Sequence, residues 1–99
     1  MMINKFQEGT ALTLALEGRL DTNTAPELEL VLNDSLDDIT ALEIDFAKLE
    51  YISSAGLRVL LTAHKTMTAK GGTLKVTNSN DVVREIFDVS GFVDILTIE

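Results

Sequence analysis

The sequence predicts an α/β domain with a mixed, mainly parallel sheet, an antiparallel hairpin at the N-terminal edge, and helices packed mostly on one face. Strand-like and helix-like hydrophobic periodicities alternate along the chain in the order β-β-α-β-α-β-α-β. The strands also alternate apolar with charged residues, as in Leu42, Ile44 and Phe46 against Glu43 and Asp45. Parallel strands covered on both faces are continuously apolar instead. We therefore expect one sheet face to carry the helices and the other to be partly exposed.

The length and composition indicate a single domain over residues 1–99. The chain is 45% hydrophobic, which is enough for a core. It has no cysteine, so disulfide scaffolds, thiolate catalysis and cysteine-ligated metal sites are excluded, and its one histidine makes a transition-metal site improbable. We expect no metal and no cofactor.

The formal net charge of −8 disfavours nucleic acids and anionic lipid surfaces as partners, because both repel an acidic domain. A protein with a basic face fits better. No apolar run approaches the roughly 20 residues that span a bilayer. The N-terminus lacks the basic-then-apolar layout of a signal peptide. We expect a cytoplasmic protein that is a monomer when free.

The first half of the chain predicts a hairpin, a helix and a strand. Ile3–Phe6 and the alternating Ala11–Glu17 flank a turn at Gly9. Gly18–Asp21 closes the second strand, and either Asp21 or Thr22 could cap the helix expected over Glu27–Leu36. Pro26 is compatible only with the first turn of that helix.

The second half repeats the strand–helix pattern. Ala41–Phe46 alternates as a strand, and an apolar strand end lies before Ser53. The next helix is expected from Ser54 to about Lys70, where Gly71 and Gly72 end it. The remaining segments predict a strand, a short amphipathic helix and a last strand, over Leu74–Val76, Val82–Phe87 and Ile95–Ile98.

Polar residues follow three of the expected strands. In open α/β sheets, sites form beyond the carboxyl ends of the strands, so these residues could share one end of the domain. Neither the P-loop nor the dinucleotide-binding fingerprint occurs, so a nucleotide pocket has little support. The residues in question are Asp21 with Thr22, Asn23 and Thr24, then Ser53 with Ser54, and Asn78 with Ser79.

The two serines between strand and helix have three possible roles: helix capping, nucleophilic catalysis, or acceptance of a phosphoryl group. A nucleophile needs a base, and the only histidine, His64, lies about 15 Å along the helix from Ser54 at 1.5 Å per residue. The hydrolase interpretation is therefore rejected. Asp21 is open to either a capping or a functional role.

Three segments together resemble the STAS-domain anti-sigma factor antagonists. The most specific is Tyr51–Leu61, which contains the Ser-Ser-Ala-Gly-Leu run. Gly18–Asp21 before the first helix, and Val83–Phe87 with Gly91 near the end, are similar to the family as well. The resemblance covers nearly the whole chain, and the family's strand–helix order matches the one expected here.

The resemblance implies a partner-switching regulator rather than an enzyme. The unmodified domain would bind an anti-sigma factor that is also a serine kinase, and so release a sigma factor or other target. Phosphorylation of a serine matching Ser54 would end binding, and a phosphatase would reverse it. Ser53 stands where relatives often have Asp. The implied kinase interface comprises Asp21, Thr22, Asn23, Thr24, Ser53, Ser54, Ala55, Gly56, Leu57 and Arg58.

A second interpretation stays open, in which the chain is a non-switching STAS adaptor subunit of a transport or signalling complex and both serines only cap. Many relatives carry a further helix after the last strand, whereas this sequence ends at Glu99. We therefore expect part of the family's contact surface to be absent or supplied otherwise.

Overall fold

The computed structural model describes all residues, 1–99. Five strands and three α-helices follow one another in the predicted order, with a short 3-10 helix at Phe92–Asp94 before the last strand. None of the helices is both long and apolar enough to cross a membrane. The elements are β1 Met2–Glu8, β2 Ala11–Leu20, α1 Ala25–Ser35, β3 Ala41–Ile52, α2 Ser54–Ala69, β4 Thr73–Thr77, α3 Asp81–Ser90 and β5 Thr97–Ile98.

The sheet has the strand order β1-β2-β3-β4-β5. β1 and β2 form an antiparallel hairpin at one edge, and every later pair is parallel. This is the mixed, mainly parallel sheet with an N-terminal edge hairpin that the sequence predicted. Sequential neighbours pair because each helix returns the chain to the same edge of the growing sheet.

The core lies on one face of this sheet. Leu14, Ile44 and Val76 are fully buried, while the residues between them along each strand are half-exposed. Leu28 of α1 and Leu60 of α2 belong to the same buried cluster, as does Val83 of α3. The alternation of the strands therefore correctly predicted helices on one face and a partly exposed second face.

Polar groups cover the second face. Lys75 lies 3.8 Å from Glu43 and 4.0 Å from Glu99. Thr77 donates a hydrogen bond to Glu43 at 2.9 Å, and Asn4 donates one to Glu17 at 2.9 Å. These contacts satisfy side chains that would be costly to bury, so this face needs no covering layer.

The largest differences from the expected strand boundaries are in β3 and β5. β3 runs to Ile52 as one element of 12 residues, and its pairing with β2 shifts register where Ala47 and Lys48 interrupt the alternation. β5 contains only Thr97–Ile98, because the preceding residues turn in the 3-10 helix. α1 and α2 begin and end within two residues of the expected positions, and α3 continues three residues beyond Phe87, to Ser90.

The site is positioned by the unequal lengths of the strands. The last residues of β2 and β3, Leu20 and Ile52, pair with each other, so both carboxyl ends meet at one edge. β4 ends opposite Asp45, in the first half of β3. The polar segments that follow β2 and β3 therefore meet at this edge. The segment that follows β4 lies beside the middle of β3 instead.

Candidate functional site

Ser53 is the N-cap of α2. Its backbone is extended, and its side-chain oxygen accepts a hydrogen bond from the Gly56 N–H at 3.3 Å. Its own N–H donates to the Leu20 carbonyl at 2.8 Å, and its carbonyl accepts from the Leu57 N–H at 2.9 Å. The Ser53 hydroxyl is thus fixed on the backbone, which is how a helix start satisfies its free N–H groups.

Ser54 is the first residue of α2 and is exposed. Its hydroxyl makes no hydrogen bond within the chain, whereas that of Ser53 is engaged by the helix. The free N–H groups and the positive end of the helix dipole lie beside it, and both favour a negative charge. Adjacent serines therefore present one occupied and one free hydroxyl.

Gly56 determines how closely α2 approaches the sheet. A Cβ atom at this position would lie 2.7 Å from Leu20 Cγ and 2.8 Å from Ile52 Cγ1. Both neighbours are fully buried at the ends of β2 and β3. Only glycine allows this contact, so the start of α2 is held directly against the two strand ends.

Not every residue of the predicted interface reaches the surface. Gly56 and Leu57 are buried and support the site from beneath. Ala55 is half-buried, and Arg58 is exposed one turn beyond Ser54. The accessible part of this segment is therefore the side chains of Ser54 and Arg58, with Ala55 between them.

The other half of the site is the turn between β2 and α1. The Asp21 carboxylate accepts hydrogen bonds from the N–H groups of Asn23 and Thr24, at 3.0 and 3.1 Å. The Thr24 hydroxyl accepts from the Asp21 N–H at 2.9 Å and donates to the Arg19 carbonyl at 2.7 Å. Thr22 and Asn23 are exposed at the tip of this turn.

This geometry corrects the predicted cap of α1. The N-cap is Thr24, rather than Asp21 or Thr22, and its side chain makes no capping bond. Pro26 lies in the first turn of α1 as expected, where its missing N–H costs nothing. Asp21 instead stabilises the turn that precedes the helix.

Asp21 also has the one clear electrostatic perturbation in the chain. A hydrogen bond from the Thr24 N–H lowers the pKa of the Asp21 carboxyl below 3.8. The Asn23 N–H, the Thr24 hydroxyl and Arg19 lower this pKa further, while partial desolvation raises it. These donors stabilise the carboxylate form. Asp21 therefore stays charged at physiological pH, at the edge where Ser53 meets β2.

Arg19 and Tyr51 complete this edge and were not singled out from the sequence. They pair across β2 and β3, and the Arg19 guanidinium lies 4.6 Å from the centre of the Tyr51 ring. Arg19 Nε is also 3.9 Å from Asp21. The register of the two strands creates this contact, so only knowledge of that register could have predicted it.

The third polar segment does not join the site. Asn78 donates to Asp45 at 3.0 Å, and Asn80 donates to the Leu49 carbonyl at 3.0 Å while capping α3 through the Val83 N–H. The Ser79 hydroxyl is buried without a partner. These residues fasten α3 to the middle of β3.

Comparison with known proteins identifies the same family that the sequence resembles. The STAS domain family matches residues 2–99. The chain is 35% identical over 88 residues to BtrV of Bordetella bronchiseptica, which is described as a candidate anti-sigma factor antagonist. The aligned region covers 88% of this chain and 76% of BtrV. It is 28% identical over 92 residues to the anti-sigma-B factor antagonist of Bacillus subtilis, covering 93% and 84% of the two chains.

The fold also matches solved structures. The phosphorylated form of SpoIIAA, a Bacillus cell fate determinant, superimposes with a TM-score of 0.78 at 17% identity, over 99% of this chain and 91% of SpoIIAA. BtrV and the Bacillus subtilis relative are both named as regulatory proteins rather than enzymes, which agrees with the expectation of a non-enzymatic protein. The match over 2–99 shows that the chain belongs to the STAS domain family.

Proposed function

We propose that this protein is an anti-sigma factor antagonist that works by partner switching. Its unmodified form binds an anti-sigma factor that is also a serine kinase, and phosphorylation of Ser54 ends that binding. A serine phosphatase restores the first state. The observation that carries the proposal is the exposed, unbonded Ser54 hydroxyl beside the bonded hydroxyl of Ser53. The names of the two relatives support the same role.

The phosphoacceptor is Ser54 rather than Ser53 for a structural reason. Transfer to Ser53 would first require its oxygen to leave the Gly56 N–H, which would uncap α2. Ser54 can enter a kinase site without breaking any bond of this chain. Its Oγ attacks the γ-phosphorus of ATP, ADP leaves, and the hydroxyl proton passes to a base of the kinase.

Phosphorylation changes the surface more than the fold. It adds roughly −1.5 to −2 charge at the start of α2, where free N–H groups and the helix dipole tolerate an anion. The kinase site that docks this surface already holds nucleotide phosphates. Like charges facing each other across an interface cost several kcal/mol, on the order of a hundredfold or more in affinity.

The docking surface combines the two turns that meet at the sheet edge. Ser54 and Arg58 come from α2, and Thr22 and Asn23 come from the tip of the turn before α1. The bond from the Ser53 N–H to the Leu20 carbonyl joins the two turns. Asp21, whose pKa is lowered by the N–H of Thr24, contributes a negative charge to the turn before α1.

The test is phosphorylation and binding with the candidate kinase. Ser54→Ala binds but is not modified, and Ser54→Asp binds on the order of a hundredfold more weakly. Mass spectrometry of the wild-type protein after incubation with kinase and ATP locates the phosphate, and calorimetry measures the affinities. Ser79→Ala is the matched control, because it removes a buried serine after another strand. Phosphate on Ser53, or continued phosphorylation of Ser54→Ala, would overturn the proposal.

A further inference from the structure

We infer that Arg58 binds the phosphate on phosphorylated Ser54 within the same chain. Modification then withdraws a cation from the docking surface at the same time as it adds an anion. The inference rests on the phosphoacceptor role proposed above for Ser54. It assigns Arg58 a regulatory role beyond that of an interface residue.

The geometry of α2 brings the two side chains together. Ser54 is the first residue of the helix, and Arg58 follows four residues later. Side chains at this spacing share one helix face, with Cβ atoms about 5–6 Å apart. Helical side chains also lean toward the N-terminus, so the guanidinium of Arg58 extends toward Ser54. Both residues are exposed, so nothing lies over them in the free protein.

Arg58 has no competing partner in the unmodified chain. Its guanidinium takes part in none of the three ion pairs and donates no hydrogen bond. α2 contains no acidic residue, and the neighbours of Arg58 on its own face are Ser54, Ala55, Leu61 and Thr62. An unpaired cation in a domain of net charge −8 is thus placed one turn from the phosphoacceptor.

Arg58 is also better placed than the other cations near the site. Arg19 is stacked on Tyr51 and lies beside Asp21, so it already has partners. Lys65 is on the same helix but eleven residues from Ser54, about 16 Å along the axis at 1.5 Å per residue. A guanidinium moreover presents two parallel N–H groups that match two phosphate oxygens.

The pairing gives the switch two components. Before modification, Arg58 is free to contact an acidic group of the kinase. After modification, the phosphate and Arg58 neutralise each other in part, so the partner loses a cation and meets an anion. A paired phosphate is also less accessible to a phosphatase, which lengthens the life of the modified state.

The experiment uses full-length protein carrying genetically encoded phosphoserine at position 54. The pKa of the phosphate is measured by 31P NMR titration for the wild type, Arg58→Gln and Arg58→Lys. Lys65→Gln is the matched control, since it removes one positive charge from the same helix. Because a nearby cation favours the dianion, Arg58→Gln should raise the phosphate pKa by roughly 0.5, from a value near or below about 6.

Further outcomes separate a specific pair from a general charge effect. Arg58→Lys should restore part of the wild-type value, and Lys65→Gln should change it by no more than about 0.1, because charges farther apart than a Debye length of about 10 Å are screened. The Arg58→Gln effect should vanish near 1 M salt, where that length falls to about 3 Å. Equal phosphate pKa values for the wild type, Arg58→Gln and Lys65→Gln at about 0.1 M salt would overturn the inference.

This design separates the inference from the proposed function. The encoded phosphoserine requires no kinase, so the NMR result stands even if no kinase modifies Ser54. Conversely, a kinase that modifies Ser54 normally while Arg58→Gln leaves the phosphate pKa unchanged would sustain the proposed function and reject the Arg58 contact. Circular dichroism of the unmodified variants confirms that each one is folded before titration.

Discussion

The turns before α2 and α3 both follow a parallel strand and both end in a side-chain cap. Ser53 accepts from the Gly56 N–H at 3.3 Å, and Asn80 accepts from the Val83 N–H at 2.8 Å. In the first turn the second serine follows the cap and is exposed, whereas in the other turn Ser79 precedes the cap and its hydroxyl is buried. Position relative to the cap therefore decides whether a strand-end serine is available to another protein.

The same two turns differ at the third residue after the cap. Gly56 and Val83 occupy equivalent positions, and both are buried. The valine fills the space between α3 and the sheet, while the glycine lets α2 touch Leu20 and Ile52. One helix is thus separated from the sheet by a side chain, and the other is in direct backbone contact with it.

The largest expected effect comes from removing this close contact. Gly56→Ala should lower the free energy of unfolding by about 2 kcal/mol, because overpacking against two buried side chains, which costs up to about 3 kcal/mol, outweighs the roughly 1 kcal/mol gain in helix propensity. Urea denaturation measures the change. Thr62→Ala, at an exposed position of the same helix, is the control and should be close to neutral. Wild-type stability in Gly56→Ala would show that the strand ends adapt freely.

The two caps should differ in strength. Asn80→Ala should cost about 1–2 kcal/mol and Ser53→Ala about 0.5–1 kcal/mol of unfolding free energy, since typical caps contribute about 1 kcal/mol. Asn80 loses more because its amide also donates to the Leu49 carbonyl at 3.0 Å. Thermal unfolding of both variants tests the order. Asn80→Asp keeps the acceptor and loses the donor, so it should fall between Asn80→Ala and the wild type.

A smaller effect is expected at Asp21, and it depends on pH. Hydrogen bonds from Thr24 and Asn23 hold the folded-state pKa of Asp21 below 3.8, so the carboxylate contributes stability above that pH and loses it as the pH falls through the lowered value. Asp21→Asn should therefore melt below the wild type at pH 7, and the two should converge in acid. Asp38→Asn controls for the change in net charge. A gap that widens on acidification would contradict this account.

The smallest effect is expected at Ser79. Its hydroxyl is buried without a partner, so Ser79→Ala leaves no other group unsatisfied and should change the unfolding free energy by no more than about 0.5 kcal/mol. Urea denaturation provides the measurement. A loss well above 1 kcal/mol would mean that the hydroxyl has a partner in solution, such as a bound water.

The sequence was sufficient for the architecture because the strands alternate cleanly. Leu42, Ile44 and Phe46 are all buried and their neighbours are not, so the one-face arrangement could be predicted from the alternation alone. Helix capping was also among the roles predicted for the two strand-end serines, since it follows from the local chemistry of a helix start, and Ser53 has that role. Local rules were adequate for the strand periodicity and for the start of α2.

Most of the features that were missed depend on contacts between distant segments, and one is local. The place of Asn78 and Ser79 behind the site follows from β4 pairing only with the first half of β3. The stacking of Arg19 on Tyr51 follows from the register of β2 against β3, which includes shifts that no periodicity reveals. Thr24 replaced Asp21 as the cap of α1 because the Asp21 carboxylate is used by the preceding turn.

The fastening of α2 at both ends bears on the speed of recognition. At its start, the Ser53 N–H bonds to the Leu20 carbonyl, and beyond its end the Lys70 ammonium donates to the carbonyls of Leu36 and Asp37. A helix tied to its neighbours in this way has little freedom to lose when a partner arrives. We expect rigid-body docking, with association rate constants in the ordinary range of about 10⁵–10⁷ M⁻¹ s⁻¹ for preformed surfaces. Phosphorylation would then act chiefly on how long a complex survives.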